Sequence, residues 1–176
     1  MREADLEQLY ARLEKPLYNV VFRWTWKPEE AQDIVQEAFV RLWRMRRRVE
    51  MRTVEPLIYK IALNLAASHR RSRRIRRLVS LDLLRETTAA GPTAEEALAT
   101  DEQRAGLRAA VEALPEDLRR VILLYEYSEL THEQIAGILS IPVGTVGSRR
   151  NRAMRQLRER LSRKTEDHER PTTETV

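Results

Sequence analysis

With 176 residues, 42% of them hydrophobic and 34% charged, the chain is long enough for one domain or two small ones with real apolar cores. It contains no cysteine, which excludes disulfides and cysteine-based zinc sites, and no apolar run approaches the roughly 20 residues of a membrane span. The formal net charge is only +5, but it is laid out in blocks. Seven Lys or Arg and no acid lie between Pro56 and Leu81, six acids and one Arg between Asp82 and Glu102, and the basic excess returns from Val143 to Lys164. Basic, acidic, basic blocks point to two anion-binding modules joined by a segment that avoids the same anion.

In chain order, Leu6, Leu9, Tyr10, Leu13, Leu17, Val20, Val21 and Trp24 recur at helical spacing, and Pro16 is expected to kink this segment or divide it into two helices. Lys27-Pro28 marks a turn. Ala31, Ile34, Val35, Ala38, Phe39, Leu42 and Trp43 form an apolar stripe on a helix predicted from about Glu29 to Arg46. After a short basic loop a further helix is predicted from about Val54, with Leu57, Ile58, Ile61, Ala62 and Leu65 inward, running out into Arg70-Arg71-Ser72-Arg73-Arg74-Ile75-Arg76-Arg77. Thr87 to Thr93 reads as a linker by composition. A second helical set starts near Glu95, breaks at Leu114-Pro115 and continues through Leu118, Val121, Ile122 and Tyr125. Thr131 with Gln134 has capping-box spacing, and Ser140-Ile141-Pro142 ends that short helix and opens the next, since Pro142 suits a first turn. Five glycines and few alternating β-branched runs complete an all-α reading: a domain over 1–78, a flexible linker over 79–94, a domain over 95–164 and a disordered tail over 165–176.

The last helix has the layout of a DNA-reading helix. Val146, Arg150, Ala153, Met154, Leu157 and Leu161 share one face, and Thr145, Ser148, Arg149 and Arg152 the other, towards its start, where base contacts are made. Arg149 can make bidentate bonds to guanine, and Thr145 and Ser148 can reach bases or phosphates. The outer side of the Val54 helix is expected to show Tyr59, Lys60, Asn64 and Ser68 beside Arg70, Arg71, Arg73 and Arg74, a mixture that suits melted DNA: Tyr stacks, Asn hydrogen-bonds a base, Arg holds the backbone. Taken by itself that basic run reads as a solvated face. Asp33, Gln36, Glu37 and Arg41 line the exposed side of the Glu29 helix; without a pocket or nucleophile they read as a docking face for protein rather than as acid–base catalysts. Trp24, Trp26 and Trp43 read mostly as core, with Trp26 outside the main stripe. His69, His132 and His168 lack metal-ligand spacing, so neither a metal nor another cofactor is expected. The Met1-to-Asp5 start has no signal-peptide core, so the expectation is a cytoplasmic protein without membrane insertion.

Two blocks together resemble the extracytoplasmic-function group of bacterial sigma factors. Asp33 to Trp43 followed by Leu57 to Ala66 is similar to that group's region two, and Leu114 to Leu161, with Gly-Thr-Val-x-Ser-Arg at Gly144 to Arg149, to its region four. The resemblance implies a non-enzymatic partner of core RNA polymerase, and of promoter DNA both as duplex and as melted non-template strand. Asp33, Gln36, Glu37 and Arg41 would dock the polymerase clamp helices. Asn64 with the Arg46 to Thr53 loop would capture a flipped minus-ten base, with Tyr59 beside it. Lys60 and the run holding Arg70, Arg71, Arg73 and Arg74 would hold DNA near the melting point, and Thr145, Ser148, Arg149 and Arg152 would read the minus-thirty-five duplex. Members of the group commonly have an anti-sigma partner that occludes both DNA faces. The sequence departs from the pattern at Pro56, where Trp is usual, and at Gly147, where Lys or Arg is frequent. The competing reading, a stand-alone helix-turn-helix regulator, explains the C-terminal half and leaves Asp33 to Trp43 without a role.

Overall fold

The structure, a computed structural model, describes residues 2–79 and 94–168. Among them there is no strand. The helices are α1 (Glu3–Thr25), α2 (Pro28–Arg44), a single 3-10 turn (Met51–Thr53), α3 (Val54–Val79), α4 (Ala94–Glu112), α5 (Glu116–Tyr127), α6 (His132–Leu139) and α7 (Val143–His168). The linker over 80–93 and the tail over 169–176 lie outside the described residues.

Helix α1 is continuous through Pro16 and is not divided there. Proline leaves only the Arg12 carbonyl without its partner, and the apolar face of α1 supplies the compensation: Leu9, Leu13, Leu17, Val20, Val21 and Trp24 are all buried. The chain turns through Trp26, which takes a left-handed conformation and donates its amide to the Phe22 carbonyl at 2.6 Å. Lys27 then caps α2 with Pro28 in the first helical position, where its missing amide hydrogen costs nothing. The stripe of α2 from Ala31 to Leu42 is buried against α1 and α3, as its spacing predicts. Pro56 sits in the first turn of α3, again where proline is tolerated. Polar contacts tie the three helices across the outside: Arg12 pairs with Glu55 at 3.0 Å and Arg73 with Glu30 at 3.0 Å, and His69 Nδ1 lies 3.6 Å from Glu30.

In the C-terminal half α4 ends before Leu114-Pro115, and Pro115 caps α5, whose first turn carries Glu116 and Asp117 at the positive end of the helix dipole. The capping box opening α6 is formed: Thr131 Oγ1 accepts from the Gln134 amide at 3.3 Å and Gln134 Oε1 from the Thr131 amide at 2.8 Å. Ser140 is left-handed at the end of α6 (φ 55°), and α7 starts one residue past Pro142. Val146, Ala153 and Leu157 of α7 are buried against α5 and α6. Helix α7 runs on to His168, so residues 165–168 belong to it and not to a disordered tail; the Lys and Arg of the final turns do not interrupt a helix-favouring sequence.

The two halves rest on each other, α1 against α5 and α3 against α6. Their buried side chains form one continuous cluster.

Two substitutions test the local energetics of the helix-turn-helix. Thr131→Ala is expected to lower stability by about 1 kcal/mol by removing the cap. Gly147→Ala is expected to raise it by about 1 kcal/mol, since a methyl group there meets nothing within 4 Å. Thermal unfolding followed by far-UV circular dichroism reads both shifts, which should be of opposite sign.

Candidate nucleic-acid interface

Helix α7 presents its first turns outward because its apolar positions face α5 and α6. Thr145 is half-buried; Ser148 and Arg152 are exposed. The Ser148 hydroxyl donates to the Thr145 carbonyl at 3.1 Å, so it is held on the helix with its lone pairs outward. Arg149 is half-buried and lies 3.4 Å (Nε) from Oδ2 of Asp117 on α5. Arg150, on the inner side as the spacing predicts, stacks 4.0 Å over the Tyr125 ring and pairs with Glu126 at 3.6 Å. The expected reading residues are therefore gathered at one end of one helix.

On α3, Lys60, Asn64, Arg70 and Arg71 are exposed and share the outer side. Tyr59 does not join them. It is fully buried, and burial with the nearby Glu55 carboxylate pushes its phenol well above its ordinary pKa. Position 59 follows the fully buried Ile58 and lies four residues before the fully buried Leu63, on a stretch of α3 that α1, α2 and α6 together cover. The expectation of an exposed stacking ring fails because the apolar arc of α3 is wider than its own periodicity suggests. Arg73 is half-buried and pinned to Glu30. Arg74 lies in α3, but its side chain is outside the described residues.

The C-terminal half covers part of this edge. Arg120 of α5 donates to Asn64 Oδ1 at 3.1 Å, Lys60 Nζ to the Ser140 hydroxyl at 3.2 Å, and Arg70 to the Glu112 carbonyl at 2.9 Å. A recess lined by Arg52, Thr53, Pro56, Leu57 and Lys60 is closed on one side by Gly137 of α6. Arg119 is the buried member of the joint: one terminal nitrogen donates to the Glu112 and Leu114 carbonyls at 2.6 and 2.8 Å, and its guanidinium lies 5.1 Å from the Trp24 ring. The sequence marks Ser140 only as part of the break before α7 and gives no role to Arg119 or Arg120. The contacts that carry the joint, Arg119 with Trp24, Arg120 with Asn64 and Ser140 with Lys60, run between residues distant in sequence, so no local pattern marks them.

On α2, Asp33, Gln36 and Arg41 are exposed and Glu37 half-buried, beside Val40, an exposed apolar side chain. Arg41 Nε bonds Glu37 at 2.7 Å and holds that carboxyl below its ordinary pKa. A continuous polar face with one apolar centre fits a protein surface better than a reaction. Among the described residues no group of His, Asp and Glu is placed to hold a metal, and no helix is long and apolar enough to cross a membrane.

Comparison with known proteins agrees with both ends of the chain. Residues 9–76 match the family described as sigma-70 region 2, and residues 104–157 match sigma-70, region 4. The chain is 30% identical over 148 residues to an ECF RNA polymerase sigma factor, SigE, of Mycolicibacterium smegmatis, covering 84% of this chain and 58% of that protein. It is 32% identical to the RNA polymerase sigma-H factor of Pseudomonas aeruginosa, covering 82% and 80%. Among solved structures it resembles the sigma factor RpoE of Bartonella quintana, determined in complex with the anti-sigma factor NepR, with a TM-score of 0.68 and 26% identity over 90% of this chain and 97% of that one. The match to the M. smegmatis protein thus spans a little over half of that protein's length.

The burial of Tyr59 separates packing from DNA contact. Tyr59→Phe is expected to leave DNA binding unchanged, whereas Tyr59→Ala should cost about 3–5 kcal/mol of stability, the range for removing a buried aromatic ring. Urea unfolding beside a fluorescence-anisotropy titration with single-stranded DNA distinguishes the two effects; a selective loss of DNA affinity in Tyr59→Phe would restore the ring to the interface.

Proposed function

The chain belongs to the extracytoplasmic-function group of the sigma-70 factors, and on that premise we propose that it binds core RNA polymerase and directs it to specific promoters. The observation that carries this reading is the coexistence, in one chain, of a helix-turn-helix with its reading residues at the start of α7 and a polar, basic edge on α3. One grips duplex; the other suits bases already out of the stack. A stand-alone helix-turn-helix regulator accounts for 104–157 and leaves the match over 9–76 without a role.

In this reading Asp33, Gln36, Glu37 and Arg41 dock the polymerase, with the Glu37–Arg41 bond keeping that face ordered. Thr145, Ser148, Arg149 and Arg152 hold the minus-thirty-five duplex, and phosphate neutralisation along α7 supplies most of the affinity. Asn64 and the Arg46 to Thr53 loop take a base of the melted minus-ten element, while Lys60, Arg70, Arg71, Arg73 and Arg74 hold its backbone; Tyr59 supports this edge from within. The protein contributes binding energy and no bond chemistry of its own, and it works in the cytoplasm beside the polymerase. An anti-sigma factor that occludes both DNA faces is its regulatory partner, as NepR is a bound partner of the B. quintana relative.

The contacts made by Arg120, Ser140 and Glu112 occupy the groups that the minus-ten strand requires. The halves therefore part before melted DNA is bound. Polymerase docking is compatible with the closed arrangement, because the face of α2 is open in it.

Reconstituted transcription with core polymerase tests the reading directly: specific initiation is expected, and a chain that bound DNA yet failed to bind core enzyme would overturn it. Arg149→Ala should reduce promoter use by about tenfold, the scale of one bidentate base contact, and only on templates that carry the upstream element. Asn64→Ala should impair opening more than duplex binding, seen as a weakened permanganate footprint at unchanged gel-shift affinity.

A further inference from the structure

The base-reading arginine is not left to find its own geometry. Arg149 Nε lies 3.4 Å from Asp117 Oδ2, with the arginine side chain 29% exposed and the aspartate 47%. Asp117 stands in the first turn of α5, where unpaired helix amides favour a carboxylate. The helix that carries it is packed along α7 and keyed to it a second time by Arg150, which lies over Tyr125 and beside Glu126. The carboxylate thus has a fixed origin behind the reading face.

Guanidinium is a planar fork of five donors, and it can meet a base in more than one way. A carboxylate at Nε occupies one edge and leaves the two terminal nitrogens, side by side, for the paired acceptors O6 and N7 of guanine. Restricting a long, rotamer-rich side chain before it binds also lowers the entropy lost on recognition. The same carboxylate adds a negative charge close to where phosphates pass, which weakens contact with DNA of any sequence. A group that sharpens base choice while lowering general affinity is a specificity device.

We propose that Asp117 is a positioning residue for promoter recognition: it orients Arg149 towards a guanine of the upstream element and disfavours unspecific contact. This rests on the reading of α7 as the duplex-reading helix, and the test separates the two. Full-length protein assembled with core polymerase is mixed with a duplex library randomised over about one helical turn, roughly ten base pairs, upstream of a fixed minus-ten segment, and the retained fraction is sequenced. Wild type is expected to enrich guanine at one position, and Arg149→Ala to abolish that enrichment alone. Asp117→Asn should lower it about threefold, the scale of an exposed ion pair, while retention of unselected duplex rises. Asp117→Glu should restore part of it, and Asp117→Asn should add nothing in the Arg149→Ala background.

A helix-stabilising role for Asp117 would instead lower the thermal midpoint and weaken every position alike. That result, or unchanged guanine enrichment in Asp117→Asn, would overturn the positioning role and leave the recognition helix intact. If Arg149→Ala itself changed nothing, the assignment of α7 would fall, and the role of Asp117 with it.

Discussion

A buried guanidinium, Arg119, sits where the two halves of this protein meet. Arg119 is only 2% exposed, and a charge so placed is costly unless its donors are met. Here one nitrogen bridges the carbonyls of Glu112 and Leu114, groups that the end of α4 leaves without helical partners. The flat face of the ion is set against Trp24 of α1, and Arg120 beside it approaches the same ring at 5.9 Å. The break at Leu114-Pro115, the start of α5 and the seat of α5 on α1 thus share one set of atoms. Not every donor is matched, since Nε and Nη1 of Arg119 and Nε1 of Trp24 lack partners.

The joint also decides which surfaces are available and when. The polar face of α2 stands clear of it, whereas the outer edge of α3 lies partly beneath α5 and α6. The face of α2 is thus open in this arrangement, and the outer edge of α3 would be uncovered only if the halves parted. Arg120 donates to Asn64 Oδ1, so in the closed form that amide oxygen is occupied from the other half of the chain.

Recognition of duplex depends on a different kind of support. Helix α7 lacks bulk at Gly147, where a longer basic residue would add a phosphate contact, and nothing in the packing requires glycine there. If α7 reads duplex as proposed, more of its discrimination then falls to Arg149 and the carboxylate behind it. An interface with fewer phosphate contacts is less tolerant of an incorrectly oriented base reader, because less of the binding energy is independent of sequence.

The residues alone determined a good deal. Helical periodicity placed α2 and α3, Thr131 and Gln134 announced the start of α6, Pro142 the start of α7, and Pro115 the break between α4 and α5; each signal acts within a few residues of itself, through a missing amide hydrogen, a cap or an apolar stripe. The family was legible for the same reason, since its motifs are contiguous. Continuity of α1 through Pro16, burial of Tyr59 and the pairing of Asn64 with Arg120 were not. Tyr59 looks amphipathic on its own helix and is core only because three other helices converge on it. Arg119 and Arg120 look like two more surface charges until Trp24 and Asn64, far away in sequence, come beside them. Local chemistry fixed what each segment is; only packing over long separations decided which of its polar groups face water, which face DNA, and which are held by the other half of the chain.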